Sequence, residues 1–172
     1  MNLSSIESGN DVPHEINVII EIPSSSAIKY EFDEDSGFLF VDRFMHTTMR
    51  YPFNYGFMPH TYADDGDPLD ILVLSTHPIV AGSVIASRPV GMLEMEDEEG
   101  VDHKILAVPV EKIDPFFSHI QDIQDINVMT LDSMKHFFER YKDLENHKWV
   151  KVQEFKNKES ALKVIVESQN KK

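Results

Sequence analysis

The sequence predicts an α+β protein that is mainly β: an antiparallel barrel, closed or half-closed, followed by helices. Two observations carry this. Short apolar or alternating runs recur through the larger N-terminal part of the chain, with turn residues between them. In the remaining part, apolar residues recur at helical spacing. The 172 residues, 41% hydrophobic and 27% charged, suit a single folded domain over 1–172 with a sizeable core.

Taken in order, the strand candidates are Ile16–Ile22, 28–32, Phe38–Phe44, 69–74, 84–93 and 104–110. Pro23-Ser24-Ser25-Ser26, Ala81-Gly82-Ser83 and Glu99-Gly100 supply turns between them. Asp114-Pro115 opens a short helix, because proline is tolerated at the first helical position. Leu131, Met134, Phe137, Phe138, Tyr141 and Leu144 fall on one helical face, with Thr130 or Asp132 as the expected N-cap. Asn157 is placed to cap a final helix through Ala161, Leu162, Ile165 and Val166. The Met and Phe stripe reads as core rather than a cofactor box, and the eight histidines show no metal-ligand spacing.

Composition narrows the function. Sixteen basic residues stand against thirty acidic ones, a formal net charge of −14. Nucleic-acid binding relies on Lys and Arg to neutralise phosphates, so no nucleic-acid partner is expected, nor an anionic membrane surface. Cysteine is absent, which excludes disulfides and thiolate chemistry. The first residues carry neither a basic start nor an apolar stretch of the secretory kind, and no apolar run is long enough to span a bilayer. A cytoplasmic location is expected.

The most informative local pattern is Asp65-Gly66-Asp67-Pro68 with Asp70, three carboxylates within six residues. Gly66 permits unusual backbone angles and Pro68 fixes its own φ, so the segment reads as a rigid turn. Two carboxylates ~5 Å apart repel by roughly 3 kcal/mol at an effective dielectric of ~20, so a cation is needed to gather them. Hard oxygen donors without Cys or His suit Mg²⁺, Mn²⁺ or Ca²⁺ better than zinc. The EF-hand register fails: counted from Asp65, Leu69 falls on a ligand position, Asp70 on the glycine and Thr76 on the closing glutamate. A solvated acidic loop remains the plain alternative for the bare motif.

Other charged groups fall at strand ends. Asp97 and Asp102 flank the Glu99-Gly100 turn, and a hairpin there brings them together. Glu21 and Glu31 lie on neighbouring strands. Lys29 shares a strand face with Glu31, and Lys104 with Asp102, two residues apart in each case. Arg43 follows Asp42, Tyr51, Asn54 and Tyr55 precede the acidic turn, and Tyr141-Lys142 falls near the end of the long helix. Carboxylates that hold cations, with Lys, Arg and Tyr donating to phosphoryl oxygens, would serve an anionic substrate.

These stretches together resemble the soluble family I inorganic pyrophosphatases over nearly the whole chain. The likeness rests on Val18-Ile19-Ile20-Glu21-Ile22-Pro23, Ile28-Lys29-Tyr30-Glu31 and Phe40-Val41-Asp42-Arg43. It continues through Tyr51-Pro52-Phe53-Asn54-Tyr55-Gly56, Asp65 to Asp70, Arg88-Pro89-Val90-Gly91, Asp97 to Lys104, and Phe137-Phe138 to Tyr141-Lys142-Asp143-Leu144. The resemblance implies a five-stranded barrel of the oligonucleotide-binding type flanked by C-terminal helices. It implies hydrolysis of pyrophosphate to two orthophosphates with several Mg²⁺ ions, Mn²⁺ being a possible substitute. It implies Asp65, Asp70 and Asp102 as metal ligands, joined by Asp97, and Asp67 as the base that takes a proton from a metal-activated water. Lys29, Arg43, Tyr55, Lys104, Tyr141 and Lys142 would bind substrate, and Glu21 and Glu31 would support the cavity. A homohexamer is implied by similarity to the short prokaryotic members.

The chemistry is sound on general grounds. A metal lowers the pKa of bound water from ~15.7 to near 7. At about 1.36 kcal/mol per unit, that eases deprotonation by about 12 kcal/mol. Three competing readings stay open at this point: a single-strand nucleic-acid-binding barrel using Phe53, Tyr55 and Phe57, a non-catalytic divalent-cation binder, and a phosphatase for larger nucleotides.

Overall fold

The computed structural model describes residues 5–33, 36–63 and 66–170. Its strands are β1 (Ile16–Ile22), β2 (Ile28–Asp33), β3 (Phe38–Phe44), β4 (Asn54–Phe57), β5 (Asp70–Val73), β6 (Val84–Asp97), β7 (Gly100–Val101), β8 (Lys104–Pro109) and β9 (Val150–Asn157). Two α-helices, α1 (Val128–Arg140) and α2 (Lys158–Asn170), flank β9 in sequence. Short 3₁₀ helices stand at Pro115–Phe117 and Ile123–Asp125. The first is capped by Asp114, whose side chain accepts from the Phe116 N–H.

Five strands close a ring in the order β1, β4, β5, β8, β6 and back to β1. Closure removes the exposed sheet edges that an open β structure must protect. Four of the five seams are antiparallel, and β5–β8 is parallel. The expectation of a wholly antiparallel ring is corrected at that seam. The β6–β7 hairpin intervenes, and the chain re-enters beside β5 running in the same direction. β6, fourteen residues long, reaches beyond the ring to pair with β9. β2 and β3 form a separate two-stranded sheet, an arm with no ladder to the barrel.

Alternation along the strands builds two apolar clusters. Ile71, Val73, Ile105 and Ala107 pack with Ala161 and Ile165 of α2. Their neighbours Leu72, Leu74, Leu106 and Val108 join Met134, Phe137 and Phe138 of α1 on the opposite face. β4 is absent from the sequence expectation. It lies against β1 so closely that a Cβ on Gly56 would fall 2.0 Å from the Ile19 carbonyl oxygen, so only glycine fits.

The helix starts differ in one respect from expectation. Asn127, not Thr130 or Asp132, caps α1, its side chain accepting from the Met129 N–H at 2.8 Å. The helix begins at Val128, so both expected caps already lie inside it. At α2, Asn157 accepts from the Ser160 N–H at 3.1 Å, as expected of a cap, and the chain passes from strand to helix without a loop. Among the described residues no helix is long and apolar enough to cross a membrane.

Candidate active site

The face that α1 covers ends in a polar rim, and strand register explains which residues stand there. Ile71 pairs with Ile105 across the parallel seam, which sets Asp70 beside Lys104 at the same end of β5 and β8. Phe57 pairs with Asp70 and Tyr55 with Leu72, so Tyr55 shares the face. On β6, Leu93 pairs with Lys104, and alternation carries the same face through Met95 to Asp97. The β6–β7 hairpin, with Asp97 opposite Gly100, then returns Asp102 to this end. From the other side, α1 delivers Tyr141 as its C-cap and Lys142 one residue on. Phe137 stacks on Tyr141 at 5.2 Å and lies 4.9 Å from Tyr51, which fixes the approach. The β2–β3 arm completes the wall with Lys29 and Arg43, which are register partners.

Together these groups line a cavity of about 830 Å³ with ten carboxylates and five cationic side chains among the described residues. Lys104, almost wholly buried, donates to Asp70, to Asp102 at 2.5 Å and to the Tyr55 hydroxyl at 3.2 Å. Burial alone would lower its pKa, but the two carboxylates outweigh burial and hold it above the ordinary lysine range. Burial raises Asp102, with Asp70 adding repulsion, although Lys104 opposes the rise. Lys142 bonds Asp97 at 2.9 Å and reaches Glu98 at 3.3 Å. Lys148 holds Glu98 at 2.5 Å. Burial resists ionisation of Glu98, yet these two lysines bring its pKa down to about 2. On the arm, Lys29 bonds Glu31 at 2.5 Å, and Arg43 is shared between Asp42 and Glu145. Glu21 accepts from the Phe32 N–H at 2.8 Å, and burial raises its pKa to about 8. Tyr51, Tyr55 and Tyr141 are all raised, chiefly by burial, so each keeps its O–H as a donor.

The site is therefore a pocket of paired acids and bases, in which every cation is held by at least one carboxylate. The inorganic pyrophosphatase family model matches residues 18–172. The chain belongs to this family. It is accordingly a hydrolase that acts on the phosphoanhydride bond of pyrophosphate. Curated inorganic pyrophosphatases of Aquifex pyrophilus and Rickettsia bellii are 52% and 60% identical to it, over 96% and 89% of this chain and 93% and 88% of theirs. The solved pyrophosphatase of Helicobacter pylori superposes with a TM-score of 0.93 at 52% identity, covering 96% of each chain. That of Thermus thermophilus gives 0.94 at 43% identity, covering 98% of this chain and 97% of its own.

Of the residues expected to serve a pyrophosphatase, the structure brings Glu21, Lys29, Glu31, Arg43, Tyr55, Asp67, Asp70, Asp97, Asp102, Lys104, Tyr141 and Lys142 to this one cavity. Asp65 lies outside the described residues. Gly66 takes a φ of +94°, the conformation for which the turn requires glycine. Among the described residues no three carboxylate or imidazole groups converge as a ready metal cluster. Instead, Asp70 and Asp102 share the Lys104 ammonium. A cation between these carboxylates, and an all-oxygen donor set in a cavity with twice as many acids as bases, fit a hard divalent ion.

Of the charged residues in the wall, Asp42, Glu98, Glu99, Glu145 and Lys148 were not singled out as site residues in the sequence. Glu98 joins two lysines, Lys148 is one of them, and Glu145 holds Arg43. The available signals were slight: Glu98 adjoins Asp97, and Glu145 follows Lys142 by one turn.

Proposed function

We propose that the chain hydrolyses inorganic pyrophosphate in a Mg²⁺-dependent reaction with Asp67 as general base. The observation that carries this is the sharing of one buried ammonium by Asp70 and Asp102 beneath an arm bearing Lys29 and Arg43. Asp65, Asp70, Asp97 and Asp102 would hold Mg²⁺, with Mn²⁺ as a substitute. Bound there, the ions supply Lewis acidity, polarising phosphoryl oxygens and easing deprotonation of water. Lys29, Arg43, Lys104 and Lys142 neutralise the tetra-anion, and Tyr55 and Tyr141 donate hydroxyl hydrogen bonds. Asp67, exposed at the cavity wall, takes the proton as the water oxygen attacks phosphorus. The bond from that phosphorus to the bridging oxygen breaks, and its electron pair leaves on the second phosphate. There the Lys and Arg charges stabilise it more than they stabilise the ground state. Glu21 and Glu31 keep the arm and Lys29 in place.

The reading extends to the setting. A cysteine-free chain with this acidic surface suits the cytoplasm and no nucleic-acid or membrane partner. The exposed Phe38, Phe40, Phe44, Phe116 and Met129 support assembly with further copies, as the homohexamer requires.

Phosphate release from pyrophosphate, measured with Mg²⁺ and then with excess chelator, tests the reaction. Rapid release abolished by the chelator is expected, and its absence on folded protein with either Mg²⁺ or Mn²⁺ overturns the reading. Asp67→Asn is expected to retain Mg²⁺ binding by calorimetry and to lose about 10²-fold or more in kcat. Unchanged turnover would remove Asp67 from the role of base.

A further inference from the structure

We infer that Glu145 is a positioning residue: it clasps the Arg43 guanidinium, and through it the β2–β3 arm, in the orientation that receives a phosphoryl group. The inference deepens the proposed hydrolysis and rests on it. The arm shares no strand ladder with the barrel; its root is tied by backbone bonds between Ser25, Ser26 and Tyr51, and Tyr30 and Phe32 pack on the barrel side. Two carboxylates add a polar tie, one to each strand of the arm. Glu21 of β1 accepts from the Phe32 N–H on β2, and Glu145 accepts from Arg43 Nε on β3 at 3.0 Å. The second link joins residues 102 apart in sequence.

Glu145 is itself well anchored. Its N–H donates to the Lys142 carbonyl at 2.8 Å, in the turn that also presents Tyr141 and Lys142. Its side chain is only 7% exposed, against 21% for Arg43. A carboxylate so enclosed would be costly without a cation, and a guanidinium Nε–H is a directional donor. The bond therefore sets the plane of the guanidinium as well as its place. With Nε engaged, the side-on fork is closed to ligands, and the terminal nitrogens remain for an anion. Asp42 takes part of one of them. Asp42 lies next to Arg43 on the same strand, so it cannot tie the arm to anything else. Glu145 is the partner that couples Arg43 to the turn bearing Tyr141 and Lys142. Lys29 pairs with Arg43 in register, so the two arm cations stand side by side.

Steady-state kinetics with Mg²⁺-pyrophosphate on Glu145→Ala, Glu145→Gln, Arg43→Ala and the double variant Glu145→Ala/Arg43→Ala test this. Glu145→Ala is expected to lower kcat/KM about tenfold, mostly through KM. Glu145→Gln keeps an oxygen to accept from Nε, and is expected to stay within about threefold of the parent. In the Arg43→Ala background, Glu145→Ala is expected to cost less than about twofold, because the residue it acts through is gone. A full tenfold loss in that background, or a glutamine variant as impaired as the alanine, overturns the inference. A second readout needs no turnover. The Arg43 Nε–H resonance in ¹⁵N–¹H spectra of the metal-free protein is expected to exchange slowly in the parent and in Glu145→Gln, and to be lost in Glu145→Ala. An Nε–H equally protected in Glu145→Ala refutes the clasp even if hydrolysis is confirmed. A protected Nε–H in a protein that releases no phosphate refutes the hydrolytic reading instead.

Discussion

Glu21 shows how far surroundings alone change a side chain. Burial is the main cause of its raised pKa; Asp70 adds to the rise, and the Phe32 N–H and Lys29 only partly offset it. Its folded pKa of about 8 stands against 4.5 for a free glutamate. Between these values the unfolded chain releases a proton that the folded chain retains, so rising pH favours unfolding. Below about 4.5 both states are protonated and the contribution to stability is complete. The metal-free protein should therefore lose stability across this window, at up to about 1.4 kcal/mol per pH unit, and Glu21→Gln should flatten the slope. Urea titrations at stepped pH measure it; an equal slope in both proteins rejects the assignment. Two pairs in the cavity were legible from local spacing, and the family resemblance supplied the roles of the other residues named. Lys29 with Glu31 and Asp102 with Lys104 pair two residues apart, as one strand face requires. Glu145 was not, because its partner is Arg43, and nothing in a single sequence couples residues that distant.

At the level of elements, runs of β-branched and apolar residues made β1, β2, β3, β5, β6 and β8 readable. β4 was hidden by its own chemistry. Pro52, Asn54 and Gly56 are turn residues, and only the packing of β1 turns them into a strand. Asn54 adds to this by capping loose backbone instead of a helix: its side-chain oxygen accepts from Ser24 and Ile79 at 3.0 and 2.8 Å. β9 was missed because Lys151, Gln153, Glu154 and Lys156 give it a polar composition, while its apolar residues Val152 and Phe155 support the core from one side. Gly56→Ala is expected to destabilise the protein by about 3 kcal/mol, because the added methyl would meet the Ile19 carbonyl and the Ile20 Cα at 2.0 and 2.9 Å. Both obstacles are backbone, so no rotamer change relieves them. A denaturant midpoint unchanged in the alanine variant would contradict the tight β1–β4 seam.

Across the whole molecule, acids outnumber bases inside the cavity and outside it alike. The chain carries only sixteen Lys and Arg residues, and five of them line one cavity among ten carboxylates. Overall class and helical C-terminal region followed from composition and periodicity, but the gathering of these five cations in one cavity is a property of the fold. The excess of acid has a kinetic consequence. A polyanion diffusing toward a body of net charge −14 is repelled before it meets any of the five cations. Small ions shorten the reach of that repulsion to about 8 Å at physiological ionic strength, while the enclosed ion pairs are screened far less. Association of pyrophosphate should accordingly quicken as an inert monovalent salt is raised at constant free Mg²⁺, the reverse of electrostatic steering, and stopped-flow traces that slow with salt would refute this net repulsion. The same barrier makes the molecule a poor trap for anions in general: entry goes to ligands that arrive with their charge already partly cancelled.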